Sequence, residues 1–179
     1  MPIVIGFSGR AKNGKDEACH SVATHVRLQG GRAKVYDIGE IIRRWCVANG
    51  RLPADVKRAD MTPAQLKVLV DAGLERTDQW SETVAEEIRN DGVDVALICN
   101  CRYPVNLKMV SELGGHTVRM TRLNADGSVY VSDDRPPNHP GETTLQFHPH
   151  DFYITVRDGQ QALVGELAIT TYEYIAGLK

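Results

Sequence analysis

The sequence predicts an α/β fold, a three-layer doubly wound parallel sheet, and three observations carry that expectation. Short apolar runs with strand character, at 3–7, 33–36, 93–99, 116–121 and 152–156, alternate with longer segments whose apolar residues recur at helical spacing. The run VDVALIC at 93–99 is apolar almost throughout, as a central parallel strand covered on both faces must be. The chain has 179 residues, 42% of them apolar, which suits a single domain over 1–179 with a real core.

Taken in order, the first strand, Ile3-Val4-Ile5-Gly6-Phe7, enters a glycine loop and then a helix with Ala18, Cys19, Val22, Ala23 and Val26 on one face, stopped by Gly30-Gly31. The second strand ends at Asp37, after which Ile38, Ile41, Ile42 and Trp45 share a helical face with Arg43 and Arg44 beside it. Residues 52–60 form a polar connection. Thr62-Pro63-Ala64-Gln65 combines a cap, a first-turn proline and a glutamine three residues after the cap, and so starts a helix bearing Leu66, Leu69, Val70 and Leu74. Thr77-Asp78 opens the next, with Trp80, Val84, Ala85 and Ile88 inward. Pro104 begins a helix through Leu113, ended by Gly114-Gly115, and a closing helix spans 160–178 with Leu163, Leu167, Thr171 and Tyr174 as its apolar face.

Between 122 and 150 the alternation breaks. This stretch is polar and proline-rich, with one short alternating run at Ser128-Val129-Tyr130-Val131. A loop of such length inside a compact domain is usually functional or disordered. It reads as a lid-like insertion that excludes water from a reacting group, against the plainer reading of a surface excursion.

The formal net charge of −2 leaves no electrostatic footprint for a nucleic-acid polymer. No apolar run approaches the ~20 residues of a membrane span. The N-terminal residues read as entering a strand directly, so no signal peptide is expected. Cys19, Cys46, Cys99 and Cys101 lack C-x-x-C pairing and read as reduced, buried thiols. A cytoplasmic location is the expectation. His139, His148 and His150, with Asp134 and Glu142, lack the spacing of a zinc site.

The chemistry concentrates in Gly9-Arg10-Ala11-Lys12-Asn13-Gly14-Lys15-Asp16. By chance, G-x-x-x-x-G-K appears in roughly one chain in twenty of this length, and the flanking strand and helix cut that further. Glycines let backbone N–H groups converge on phosphate oxygens, the helix adds its positive end, and Lys15 supplies a mobile cation. Usual loops of this kind place Ser or Thr after the lysine; here Asp16 stands there. A carboxylate beside a triphosphate needs a cation between, so Asp16 reads as a magnesium ligand, direct or through water. As a first-turn acid, with Glu17 next to it, it also complements the helix dipole. In α/β sheets ligands gather at the carboxyl ends of strands, which adds Asp37 and Asn100-Cys101-Arg102. Arginine suits phosphoryl transfer because it spreads hydrogen bonds over the charged oxygens. Arg102 is the leading candidate, Arg122 and Arg135 are lid candidates, and Arg43, Arg44 and Arg76 are candidates for an acceptor's phosphate.

F-S-G-R-A-K-N-G-K-D resembles the S-G-x-x-x-x-G-K-D loop of a small kinase group, the phage-type deoxynucleoside monophosphate kinases and the animal-type phosphomevalonate kinases. Arg102-Tyr103-Pro104, followed by Asn106 and Gly114-Gly115, is similar to the R-[FY]-P segment of the phage-type enzymes. Asp134, His139, Gly141 and Glu142 loosely match their D-x-H-x-S-E, with Gly141 in the place of serine. The resemblance implies a P-loop NTPase fold of the nucleoside-monophosphate-kinase type, a substrate-side role for Trp80, and a loop at Asp158-Gly159 bordering the adenine of ATP. It also implies an acid at the end of the central strand; this chain has Asn100, which can orient a metal-bound water but brings no charge.

The expectation is therefore an ATP- and magnesium-dependent kinase acting on a deoxynucleoside 5′-monophosphate, within a host's cytoplasm if phage-encoded, with small nucleotides as its partners and a homodimer admissible. The rivals are a phosphomevalonate kinase-like enzyme for a small phosphorylated acceptor and a nucleotide-binding regulatory protein whose catalysis has decayed.

Overall fold

The structure, a computed structural model, describes residues 2–133 and 137–178. Five parallel strands form one sheet in the order β2-β3-β1-β4-β5: β1 (Ile3–Ser8), β2 (Ala33–Asp37), β3 (Val95–Cys101), β4 (His116–Leu123) and β5 (Phe152–Arg157). Helices α1 (Lys15–Leu28), α2 (Ile38–Ala48), α3 (Pro63–Glu75), α4 (Thr77–Asn90), α5 (Pro104–Glu112), α6 (Pro140–Thr143) and α7 (Leu163–Gly177) connect or follow them, with a 3₁₀ turn at Arg58–Asp60. The doubly wound sheet of the sequence reading is present.

Strand alternation decides which side of the sheet each residue serves. Ile5, Phe7, Leu97, Val118 and Ile154 pack with Ala18, Val22, Val164 and Ala168 of α1 and α7. Val4, Ala96 and Ile98 pack on the opposite side with Ile41, Trp80, Val84 and Val110 of α2, α4 and α5. Burial on both sides explains the unbroken apolar run of β3. Gly6 lets α5 approach β1, since a Cβ there would lie 2.6 Å from Val110 Cγ2. A third cluster, Cys46, Leu52, Met61, Leu69 and Ala72, holds α3 against α2. The Thr62/Gln65 capping box forms as its residues predict.

Two expectations are corrected. The closing helix buries Val164, Ala168 and Ile175, one position from the expected stripe, while Leu163, Leu167 and Tyr174 face solvent. Leu66 and Leu74 of α3 are likewise exposed; Leu69 and Ala72 carry its packing. The stretch after 122 holds some regular structure. β4 continues to Leu123, a turn at 124–128 brings Val129 back to it, and α6 lies against the loop that follows β1.

β1 lies between β3 and β4, where the winding direction of the sheet reverses. The crevice at its carboxyl end is the place such sheets offer to a ligand.

Candidate active site

The loop after β1 is shaped by backbone that only certain residues tolerate. Gly9 sits at φ 141°, and a Cβ there would lie 2.5 Å from the Met120 carbonyl. Gly14 is left-handed at φ 85° and caps α1. Lys12 is left-handed without being glycine, a conformation seldom kept outside functional loops. Asn13 is buried and donates from Nδ2 to Met120 O, while its Oδ1 finds no partner among the described residues.

Lys15, only 4% exposed, donates from Nζ to Arg10 O at 2.7 Å. Burial, and after it the nearby Arg102, push its pKa down to about 8, while Asp16 and Glu142 hold it up. Asp16 and Glu17 occupy the first turn of α1 and face solvent. Glu17 accepts from Ser21, whereas the Asp16 carboxylate takes no hydrogen bond from any described residue.

A second group closes on this loop. Glu142, on α6, accepts from the Ala11 backbone N–H through Oε2 at 2.7 Å and from Arg102 Nη1 through Oε1 at 2.7 Å. Arg102 also donates to Gly141 O. These side chains are 6% and 14% exposed. Arg102 is aimed by the turn it starts: the amides of Arg102 and Tyr103 both donate to Asn106 Oδ1, and Asn106 Nδ2 donates to Ser81 Oγ. Asn100, left-handed at φ 65°, donates to Asp37 Oδ1 and accepts from Arg102 Nη2 at 3.4 Å. Asp37 caps α2 through Gly39 N. The ends of β2 and β3, α6 and the glycine loop thus form one polar network.

Beside it opens a cleft with an apolar wall of Ile42, Leu69, Val70 and Trp80 and a polar end of Arg58, Asn100, Arg102, Tyr103 and His139. Trp80 is fixed by donating Nε1 to Ala72 O and by edge-to-face packing on Trp45. Arg58 lies across Gly39, its Nη1 3.9 Å from Asp37 Oδ2.

Lys15, Asp37, Asn100 and Arg102 are therefore gathered around the loop, and Trp80 with Arg102 lines the cleft. The other proposed arginines lie elsewhere. Arg43 is held in a two-point contact by Glu40 on its own helix, Arg44 pairs with Glu87, and Arg76 lies over the Trp45 ring and donates to Gln79. None of the three lines the cleft. Arg122 is taken up by Asp158 and stacks on Tyr130, 4.2 Å from the ring centre. That arginine and Gln161 hold the Asp158 carboxyl below the usual carboxylate range, and Gly159 beside it is left-handed. Arg135 and Asp134 lie outside the described residues.

Sequence reasoning missed Arg58, which it left in a polar connection, and the roles of Glu142 and Asn106. Only the loose likeness around 139–142 pointed toward Glu142. It also missed Ser8 and His150. His150 Nδ1 faces the His148 carbonyl at 2.9 Å and so carries the proton, leaving Nε2 to accept from the Ser8 hydroxyl at 2.7 Å. Burial pushes this imidazole's pKa down, which favours its neutral form.

Among the described residues, no three His, Cys, Asp or Glu side chains gather to hold a metal. Magnesium does not require such a cage, because it commonly takes one or two carboxylates together with phosphate oxygens and water. The unpartnered Asp16 carboxylate beside the loop fits that role. Asn100 fits it less well, since its oxygen faces Arg102. The four cysteines are unpaired and buried, and burial drives the Cys101 thiol up to about 12. No helix among the described residues is long and apolar enough to cross a membrane.

No family model matches the chain, and no curated protein sequence does. Solved structures match over nearly its whole length. Mycobacterium tuberculosis APS kinase in complex with AMPPNP and APS superposes with a TM-score of 0.55 at 15% identity, over 96% of each chain. Shikimate kinase from Acinetobacter baumannii in complex with shikimate gives 0.51 at 13% identity, over 100% of this chain and 96% of that one. The fold is that of the P-loop kinases.

Proposed function

We propose that this chain is an ATP- and magnesium-dependent phosphotransferase whose acceptor is a small phosphate monoester, best a deoxynucleoside 5′-monophosphate. One observation carries the reading: Arg102 stands between the glycine loop and an apolar cleft that holds a second guanidinium, Arg58. A donor phosphate chain on the loop and an acceptor in the cleft would meet at that side chain.

In this reading the loop amides and Lys15 hold the ATP phosphates, and Asp16 holds magnesium, which when bound offsets phosphate charge. Asp158-Gly159 borders the adenine. The base of the acceptor lies along Ile42, Leu69 and Val70 above Trp80, with Arg58 on its phosphate. A phosphate oxygen of the acceptor attacks the γ-phosphorus, the bond from that phosphorus to the ADP oxygen breaks, and a diphosphate and ADP result. No general base is required, because the attacking oxygen is already anionic. Catalysis consists of positioning and charge stabilisation by Lys15 and Arg102.

The apolar wall favours a flat base over a hydroxyl-rich acceptor. A phosphomevalonate-like acceptor remains the second reading, since Arg58 and Arg102 would serve its phosphate equally. The test is ADP formation from ATP and magnesium with each deoxynucleoside monophosphate, and then phosphomevalonate, supplied in turn. Acceptor-dependent turnover with a nucleotide, abolished in Lys15→Ala, supports the reading. Tight ATP binding with no turnover on any acceptor refutes it and favours a binding protein.

A further inference from the structure

The glycine loop is occupied by an anion that the chain supplies to itself. The Glu142 carboxylate lies on the Ala11 amide and the Arg102 guanidinium, both at 2.7 Å, with Lys15 near enough to feel its charge. A backbone N–H of a glycine loop, an arginine and a lysine are the donors that a phosphoryl group would engage, and a carboxylate presents two oxygens of similar charge and reach.

We propose that Glu142 is a built-in stand-in for phosphate: it occupies the anion seat of the nucleotide-free protein, and the incoming ATP phosphates expel it together with α6. The proposal rests on the reading of the glycine loop as a phosphate site.

Electrostatics require an occupant. Arg102 and Lys15 are both largely buried, and two like charges left without a counter-ion there are costly. While the seat is empty, Asp16 from the solvent side and Glu142 from within the seat offset them. A polyphosphate brings more negative charge to the same donors, so the carboxylate becomes a like-charged neighbour without partners. α6 is a single turn, and its main internal ties are Glu142 N to His139 O, Thr144 N to Pro140 O and the His139 cap on Gly141 N. Little structure has to be undone to move it. ATP then binds with its intrinsic affinity reduced by the fraction of molecules whose seat is open.

The test is titration calorimetry of the full chain with ATP and magnesium, comparing wild type with Glu142→Ala, Glu142→Gln and Glu142→Asp. Alanine should tighten ATP binding about tenfold. Aspartate, which keeps the charge but is one methylene short of the seat, should tighten it nearly as much. Glutamine, whose carbonyl can still meet the Ala11 amide, should fall between alanine and wild type. If alanine binds no more tightly than wild type, or if aspartate behaves as wild type, occupancy of the seat is not the cause and the proposal fails. Hydrogen exchange on the unmutated protein is independent of variant folding. ATP should slow exchange in 9–15 and speed it in 140–146; slowing in both segments overturns the proposal. Absence of ATP binding to any form would instead refute the phosphate-loop reading and the proposal with it.

Discussion

In the glycine loop the groups offered to a ligand are mostly backbone amides, shaped by one run of residues from 9 to 15. In the adjoining cleft they are side chains drawn from α2, the 58–60 turn, α3, α4, the β3–α5 turn and the approach to α6. The loop depends on φ values near Gly9, Lys12 and Gly14 and on a strand and helix that fix its ends. The cleft depends on the packing of whole helices, and its charged groups are aimed by neighbours both near and far in sequence, as Arg102 is by Asn106, Ser81 and Glu142. A backbone-built site tolerates little local change but is written in one place. A side-chain-built site can change its ligand through single residues without disturbing the fold.

The loop side should be the more easily destroyed. Lys15→Ala removes the buried lysine of the network and should lower kcat by about a thousandfold, in the range found when one transition-state donor is removed. Residual activity within tenfold of wild type would show that Arg102 carries the phosphates alone. Gly9→Ala tests the backbone itself. The added Cβ meets the Met120 carbonyl at 2.5 Å in a conformation L-residues avoid, so urea unfolding should show a loss of about 3 kcal/mol. An unchanged midpoint would mean that the loop relaxes freely, and the contrast between the two regions would lose its basis.

The same contrast explains what the sequence disclosed. The sheet, its alternation with helices and the glycine loop were legible because each is a local signal: an apolar period, a cap, a glycine pattern. The phase of α7 was not. Leu163, Leu167 and Tyr174 look like a stripe, yet the neighbouring Val164, Ala168 and Ile175 meet the sheet, a choice made by tertiary contact and not by spacing. Arginines were harder still. Arg43, Arg44 and Arg58 look alike in a chain, and only folding shows that Glu40 and Glu87 occupy the first two while the third overlooks the cleft. Glu142 had only a loose motif likeness to mark it, because its partners lie 40 and 131 positions away.

On the cleft side, Arg58→Ala should weaken binding without unfolding. A charge-assisted hydrogen bond to the acceptor phosphate is worth about 1.5–3 kcal/mol, so the acceptor KM should rise roughly 10- to 100-fold with the KM for ATP unchanged. Equal rises in both constants would place Arg58 in the general field of the site and not on the acceptor. Acidity gives a gentler probe of the loop. With the pKa of Lys15 at about 8 in the empty protein, a bound phosphate favours the charged form and raises it. Below pH 8 the lysine is charged before and after binding. Above it, binding must take up a proton, so ATP affinity should fall by up to about tenfold per pH unit. Calorimetry in buffers of different ionisation enthalpy should detect that proton; an affinity flat between pH 7 and 9.5 would sink the assignment.

The smallest effect belongs to Arg43 and Arg44, and it separates the cleft from its surroundings. Both sit on α2 near the cleft, and by residue type either could grip an acceptor's phosphate. In the fold, Arg43 is spent on Glu40 and on the Val56 carbonyl, and Arg44 on Glu87, and neither lines the cleft. Exposed pairs of this kind contribute about 0–1 kcal/mol each. The double variant Arg43→Ala/Arg44→Ala should therefore keep both Michaelis constants within twofold of wild type and lose at most about 1 kcal/mol on unfolding, most of it where Arg43 ties α2 to the 56–58 connection. A tenfold rise in acceptor KM with stability intact would bring these guanidiniums onto the acceptor. The cleft would then have to open toward α2 when it binds, and its side chains would be as mobile as the loop backbone is fixed.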